Sequence, residues 1–364
     1  MTSHLATPKD PYALSIPPSQ ATVMVRVIDS TTTIHINPEL FWKPNIKGLD
    51  LVKAPIYCFL ISNGDRHILF DLGVRRDWEK YAPRTVALIK ATTVVQTEKN
   101  VSEILDDDTS GLGIRSKDIE AVIWSHGHFD HIGDPATFPP STELIVGAGI
   151  KDQLFPGYPT RPDAIVLDAD VSGRRLREID VKKESQGLRI GRFDAMDFFG
   201  DGSFYLLDAP GHAIGHVCGL ARVTASPDSF VLLGADACHH PGVLRPTEYL
   251  PLPETVSPSP LSYFRKMGQP CPGAVLRQLH TKKTASEPFF TVCEKLFPEY
   301  EDALDTVKKI EELDADDRIF VIIAHDESLL DQIDLFPKSI NDWMAKGLKS
   351  KTCWLFCKDF DGCL

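Results

Sequence analysis

The sequence has no dense run of lysine and arginine: 39 basic residues are scattered and outnumbered by 51 acidic ones, for a formal charge of −12. That balance repels polyanions, which weighs against nucleic acid and against an anionic membrane face as main partners. No apolar stretch approaches the length needed to span a bilayer. Residues 1–20 are polar and proline-containing and lack the apolar centre of a secretory leader. The eight cysteines (Cys58, Cys218, Cys238, Cys271, Cys293, Cys353, Cys357, Cys363) follow no zinc-finger spacing. In a long chain without a leader they read as reduced thiols, so a cytoplasmic location is expected. Cys353, Cys357 and Cys363 are the one cluster where a disulfide would be sought, against the plainer reading of buried thiols at a strand end. Internal repeats and low-complexity tracts are also missing.

What is present is enough apolar residue (43% of 364) for a large core. The expected organisation is an N-terminal arm over 1–21 and a single domain over 22–364. A proline-rich loop insertion at 239–275 is expected to lie over the functional site.

The chain is organised around Ser125-His126-Gly127-His128-Phe129-Asp130-His131-Ile132-Gly133-Asp134. The β-branched run Ala121 to Trp124 before it reads as a buried strand. Four potential ligands thus follow the end of a strand, on a turn. His126 and His128 project to one side and can meet one cation, while Asp130 and His131 can serve a second. Gly127 and Gly133 leave the backbone free to bend there. Three more strands end in a ligand type: 204–207 before Asp208 and His212, 230–235 before Asp236, and 318–324 before His325.

Elsewhere, 23–36 reads as a strand, and 55–61 with 67–73 as a hairpin about Asn63-Gly64. Asn37 to Pro44 reads as a loop exposing Phe41 and Trp42, which could wall a substrate pocket. Helices are expected at 78–92, 99–105, 148–154, 286–296, 299–313 and 339–346, and a strand at 352–357. Residues 155–186 read as irregular. Leu244, Tyr249 or Phe264 of the insertion are expected to contribute to the pocket.

The run from His126 to His131 resembles the HxHxDH signature of the metallo-β-lactamase superfamily. That resemblance implies an α/β fold, an αββα four-layer sandwich of two mixed β-sheets flanked by helices. It implies His126, His128 and His212 on one ion, Asp130, His131 and His325 on another, and Asp236 between them. It also implies that Asp71 in Asp71-Leu72-Gly73 supports the site from outside. His216 is expected to be a hydrogen-bonding neighbour rather than a ligand. Imidazoles and carboxylates without thiolate favour two zinc ions per chain, with iron, manganese or cobalt also fitting.

Within the superfamily, His128 argues against the redox diiron members and Asp236 against the main zinc β-lactamases, which carry cysteine there. The position of His325 near the C-terminus looks most like the quorum-quenching lactonases. Those carry a tyrosine three residues after the bridging aspartate, where this chain has His239. The expectation is a dinuclear zinc-dependent hydrolase that opens a lactone or a cyclic amide such as a γ-lactam by attack of a metal-bridging hydroxide. Asp130 would move the proton and His239 would act as donor or shuttle. The alternatives are an acyl-thioester hydrolase and a non-catalytic scaffold. The expected partner is a small ester or amide, with no nucleic acid and no membrane; a homodimer is left open.

Overall fold

The structure is a computed structural model that describes residues 3–49, 52–107, 109 and 111–363. Thirteen strands are labelled here. β1 (Met24–Ile36), β2 (Val52–Asn63), β3 (Arg66–Phe70), β4 (Val95–Gln96), β5 (Ile119–Ile123), β6 (Glu143–Gly147) and β7 (Leu176–Ile179) form one sheet, in the order β4-β1-β2-β3-β5-β6-β7. β8 (Arg189–Ile190), β9 (Phe193–Asp197), β10 (Phe204–Asp208), β11 (Val217–Ala225), β12 (Asp228–Ala235) and β13 (Ile319–Ile323) form the other, in the order β13-β12-β11-β10-β9-β8. Both are mixed: β3, β5, β6 and β7 run parallel, as do β12 and β13, and the remaining pairs are antiparallel.

The central strands are apolar on both faces because both faces are covered. In β2, Tyr57, Phe59 and Ile61 meet Leu206, Val231, Leu233 and Phe320 of the other sheet. The alternate residues Ile56, Cys58 and Leu60 join the outer layer, which also holds Ile89, Leu105 and Ile132. On the far side the helix Tyr300–Asp314 buries Ala303, Val307 and Ile310. Helix, sheet, sheet, helix is therefore the layer order of an αββα sandwich.

Two parallel registers line up the strand ends that matter. Phe70 pairs with Ile123 in β3 and β5, and Ala235 with Ile323 in β12 and β13. At the same edge Val217 N–H donates to Ser125 O at 2.9 Å and Tyr57 N–H to Ala324 O at 3.0 Å. These two bonds tie one sheet to the other where the ligands emerge.

The expected elements needed correction in several places. Residues 78–92 break at Pro83, which starts the helix Pro83–Thr92 after a short turn at Trp78–Lys80. Residues 286–296 are irregular rather than helical, with a two-residue strand at Thr291–Val292. Pro288 removes a helix donor, and Thr291–Val292 pair with Trp42–Lys43. Residues 339–346 are turns around the buried Trp343. Residues 352–357 are not a strand: they join the helix Leu348–Thr352 to a 3₁₀ segment, Leu355–Cys363. A short apolar run has no periodicity to separate the two states. Residues 155–186 contain β7, and 37–44 contain the short helix Pro38–Phe41 capped by the Asn37 side chain.

The insertion lies against the arm instead of over the site. Leu5 N–H donates to Leu252 O, Lys9 N–H to Glu248 O, and Glu254 N–H to Ser3 O. Of the three cysteines near the C-terminus, Cys353 and Cys357 are buried and not in a disulfide. Among the described residues no helix is long and apolar enough to cross a membrane.

Candidate metal centre

Side chains that follow four strand ends converge on two sets of candidate ligand atoms. His126, His128, His212 and Asp236 form one set; Asp130, His131, Asp236 and His325 form the other, and within each set the atoms lie within 4.8 Å of one another. His212 Nε2 stands 3.2 Å from His126 Nε2 and 3.0 Å from His128 Nδ1. Those separations are close to the edge of a coordination tetrahedron with bonds of ~2.0–2.1 Å, roughly 3.3 Å.

Asp236 divides its carboxylate between the sets. Oδ2 faces His212 Nε2 at 3.4 Å and His126 Nε2 at 3.7 Å. Oδ1 faces His131 Nε2 and His325 Nε2, each at 3.1 Å. Asp130 Oδ2 closes the second set, 3.5 Å from His325 Nε2 and 3.8 Å from His131 Nε2.

These residues fit a pair of cations. His131 Nε2, His325 Nε2 and Asp236 Oδ1 are buried and have no hydrogen-bond partner. Buried polar atoms are normally partnered, and three such atoms facing one space form a donor set that suits a cation. The opposite ring nitrogens are engaged, which fixes each tautomer. His131 Nδ1–H donates to Asp71 Oδ2 at 2.8 Å and His325 Nδ1–H to Pro55 O at 3.0 Å. His126 Nδ1 lies 3.0 Å from Ser125 Oγ.

The electrostatics point the same way. Burial, then the neighbouring imidazoles, push His126 well below the ordinary value and His128 down to about 4, so both stay neutral, as an imidazole that is to bind a cation must. Burial also disfavours charge on His131 and His325, but Asp236 and its fellow carboxylates outweigh it and raise both. Burial alone would raise Asp236; His131, His325 and His239 hold it well below the carboxylate range. The space around Asp236 Oδ1 therefore calls for positive charge.

The model of the Metallo-beta-lactamase superfamily matches residues 52–224. A protein named metallo-hydrolase from Annulohypoxylon moriforme is 58% identical over 99% of this chain and 93% of its own length. The chain belongs to the metallo-β-lactamase superfamily. It is a metal-dependent hydrolase of that superfamily. A gamma-lactamase of Fusarium pseudograminearum is 45% identical over 96% of this chain and 85% of its own. A solved N-acyl homoserine lactone hydrolase, with product bound at its catalytic metal centre, has the same fold. It superposes with a TM-score of 0.56 at 16% identity, covering 88% of this chain and all (100%) of that one. The chain spans only 39% of a cytochrome P450 monooxygenase of Penicillium brevicompactum to which it is 55% identical.

Around this superfamily site runs a supporting layer. Asp71, held at a φ of +63°, accepts Ser125 N–H at 2.7 Å as well as the His131 proton. His216 joins through Nδ1 to Ala209 O at 2.8 Å and receives Asp236 N–H on Nε2 at 3.2 Å, the place of a hydrogen-bonding neighbour. Gly211, at a φ of +121°, has no room for a side chain: a Cβ there would come within 2.2 Å of Ala303 N. Ser125, Pro55 and Tyr81, whose hydroxyl donates to Phe129 O at 2.8 Å, escaped the sequence reading. Only Ser125 carried a signal there, as the residue opening the histidine run; a carbonyl and a distant hydroxyl carry none.

A cavity of about 190 Å³ opens over the ligand set. Of the residues expected to wall a pocket, Phe41 lines it, its ring 4.3 Å from that of His239. The other four lie elsewhere. Trp42 is 1% exposed and packs on His240 and Phe290. Leu244 is in the core, Tyr249 meets Tyr12, and Phe264 sits beside Tyr263. His239 is buried, lines the cavity, and places Nε2 3.0 Å from Asp236 Oδ2.

Proposed function

We propose that this hydrolase is dinuclear, holds two zinc ions, and opens the ring of a lactone or of a cyclic amide such as a γ-lactam. The observation that carries the reading is Asp236, whose two oxygens face two separate histidine sets. The similarity to a gamma-lactamase along nearly the whole chain supports the choice of a ring carbonyl. When bound, such a pair of ions supplies an acidified water and a Lewis acid for the carbonyl oxygen.

The chain's own residues would do the rest. His126, His128 and His212 bind on one side, Asp130, His131 and His325 on the other, and Asp236 holds the separation. Asp130, 7% exposed and bordering the cavity, would take the proton released by the attacking water on the carboxylate oxygen not turned to the second set and return it to the leaving group. His239, with Nε2 3.0 Å from Asp236 Oδ2, borders the floor as the candidate to donate or shuttle a proton once charge develops on the carbonyl oxygen, and Phe41 covers its ring face.

The test is metal analysis followed by a substrate panel of lactones, lactams and acyl thioesters. Two equivalents of metal, and ring opening that a chelator abolishes and zinc restores, are expected. Turnover of thioesters alone would overturn the ring assignment, and a chain that binds no metal would overturn the whole reading.

A further inference from the structure

The cavity over the ligand set is chemically lopsided. Its floor is polar, formed by Asp130, Asp236 and the imidazoles; its remaining wall is built from Ile34, Ile36, Leu40, Phe41 and Ile165, together with the helix Pro83–Thr92. Among the described residues no lysine or arginine lines it. The three threonines on that wall have each given away their single hydroxyl proton. Thr85 Oγ1–H donates to Ile165 O at 2.6 Å, Thr92 to Leu88 O at 2.8 Å and Thr93 to His35 O at 2.8 Å. His35 also borders the cavity; it stands between Ile34 and Ile36, and its carbonyl, which takes the Thr93 proton, lies on this side while strand alternation sets its side chain opposite to theirs. Away from the floor, the wall thus has no counter-charge for an anion and no free side-chain donor for a carbonyl.

Size and mouth narrow the occupant further. An apolar cavity of roughly 150 Å³ accommodates benzene, so about 190 Å³ suits a group near one six-membered ring or a six-carbon chain. At the lip stand Leu88 and Leu296, 51% and 37% exposed, on separate elements and both bordering the same cavity. One exposed leucine is ordinary. Two flanking one opening continue the apolar wall outward.

Resting on the ring-opening reading above, we propose that Leu88 and Leu296 are specificity residues that select rings carrying an uncharged hydrophobic substituent and reject those carrying an anionic one. The scissile carbonyl would sit on the floor, with the substituent directed along the helix Pro83–Thr92 towards the lip. A carboxylate placed there would lose its hydration and find no partner.

The experiment compares γ-butyrolactone, its γ-propyl and γ-hexyl derivatives, and a γ-substituted derivative of hexyl length ending in carboxylate. Each is given to zinc-loaded wild-type protein and to the Leu88→Lys and Leu296→Lys variants of verified metal content. The expected kcat/KM rises about fourfold per methylene until the cavity is filled and falls at least ~100-fold when the hexyl arm ends in carboxylate. Each lysine variant should narrow that last gap at least tenfold. A flat response to chain length, equal use of the charged derivative, or variants that leave the ratio unmoved would overturn the assignment. If wild-type protein opens none of these rings, the ring-opening reading is what fails. Calorimetric binding of the same four compounds then decides the pocket's preference by itself.

Discussion

His131 gives its Nδ1 proton to Asp71 across 2.8 Å, although 60 residues separate the two in the chain. The bond sets the ring so that Nε2 faces Asp236 Oδ1 at 3.1 Å. It does so because β3 and β5 are parallel neighbours whose ends, Phe70 and Ile123, are in register. A supporting contact of this kind makes the first prediction.

Asp71→Asn should weaken metal retention at the His131 side and lower activity by ~10–100-fold, the usual cost of losing an outer partner of a ligating histidine. The fold should persist, since the Asn oxygen can still accept Ser125 N–H. Metal stoichiometry against chelator concentration checks this; unchanged retention would show that Asp71 is a turn residue only.

His126→Ala and His239→Ala should separate. The first removes one of the three imidazoles of the set that holds His128 and His212, and should lose activity together with one equivalent of metal. The second should keep both equivalents and slow turnover by about 10²–10⁴-fold, the range for removing a group that moves or donates a proton. Elemental analysis beside kcat distinguishes them, and loss of both ions from the His239 variant would make that residue a ligand.

Stability should fall as pH rises from about 4 to about 7 through Asp170. Burial pushes this carboxyl up to about 7, and the side chain is 1% exposed. A raised folded-state value means that the unfolded chain ionises first. The contribution is therefore complete below the ordinary carboxylate value of 3.8 and is lost as pH climbs to the folded value. At 1.36 kcal/mol per pH unit the loss is on the order of 4 kcal/mol. Asp170→Asn should remove that part of the slope, measured by urea unfolding at pH 5 and pH 8.

Asp314→Ala should cost about 3–5 kcal/mol, because it strands a buried guanidinium. Arg245 pairs with Asp314 through two bonds of 2.6 and 2.7 Å and donates to Cys353 O at 3.0 Å, joining the insertion to the helix Tyr300–Asp314 and the C-terminal segment. The double variant Arg245→Met/Asp314→Leu should recover much of the loss. Denaturant midpoints of the single and double variants decide it; equal losses would mean that packing, not charge, holds this junction.

Much of the candidate ligand geometry was legible because each of these residues lies within a few positions of a strand end. A β-branched run ending in His126, Asp236 or His325 is a local signal, and the parallel registers that bring the ends together follow from runs apolar on both faces. The pocket was legible only at Phe41. Trp42 adjoins it in sequence, but the strand pairing of Trp42–Lys43 with Thr291–Val292 turns the indole onto His240. The proline-rich insertion was expected over the metals, yet its backbone bonds go to the arm. Nothing local in Leu88 or Leu296 marks them as bordering one opening.

The amino-acid order alone settled the donor chemistry: imidazoles and carboxylates at strand ends, in a chain too acidic to favour polyanions. It did so because ligand type and strand pattern are properties of a few adjacent residues. Which wall faces those donors was decided only in three dimensions, by the helix Pro83–Thr92 and a distant leucine closing on β1. Such contacts depend on how layers stack and which loops find partners, and neither leaves a mark on short stretches of chain.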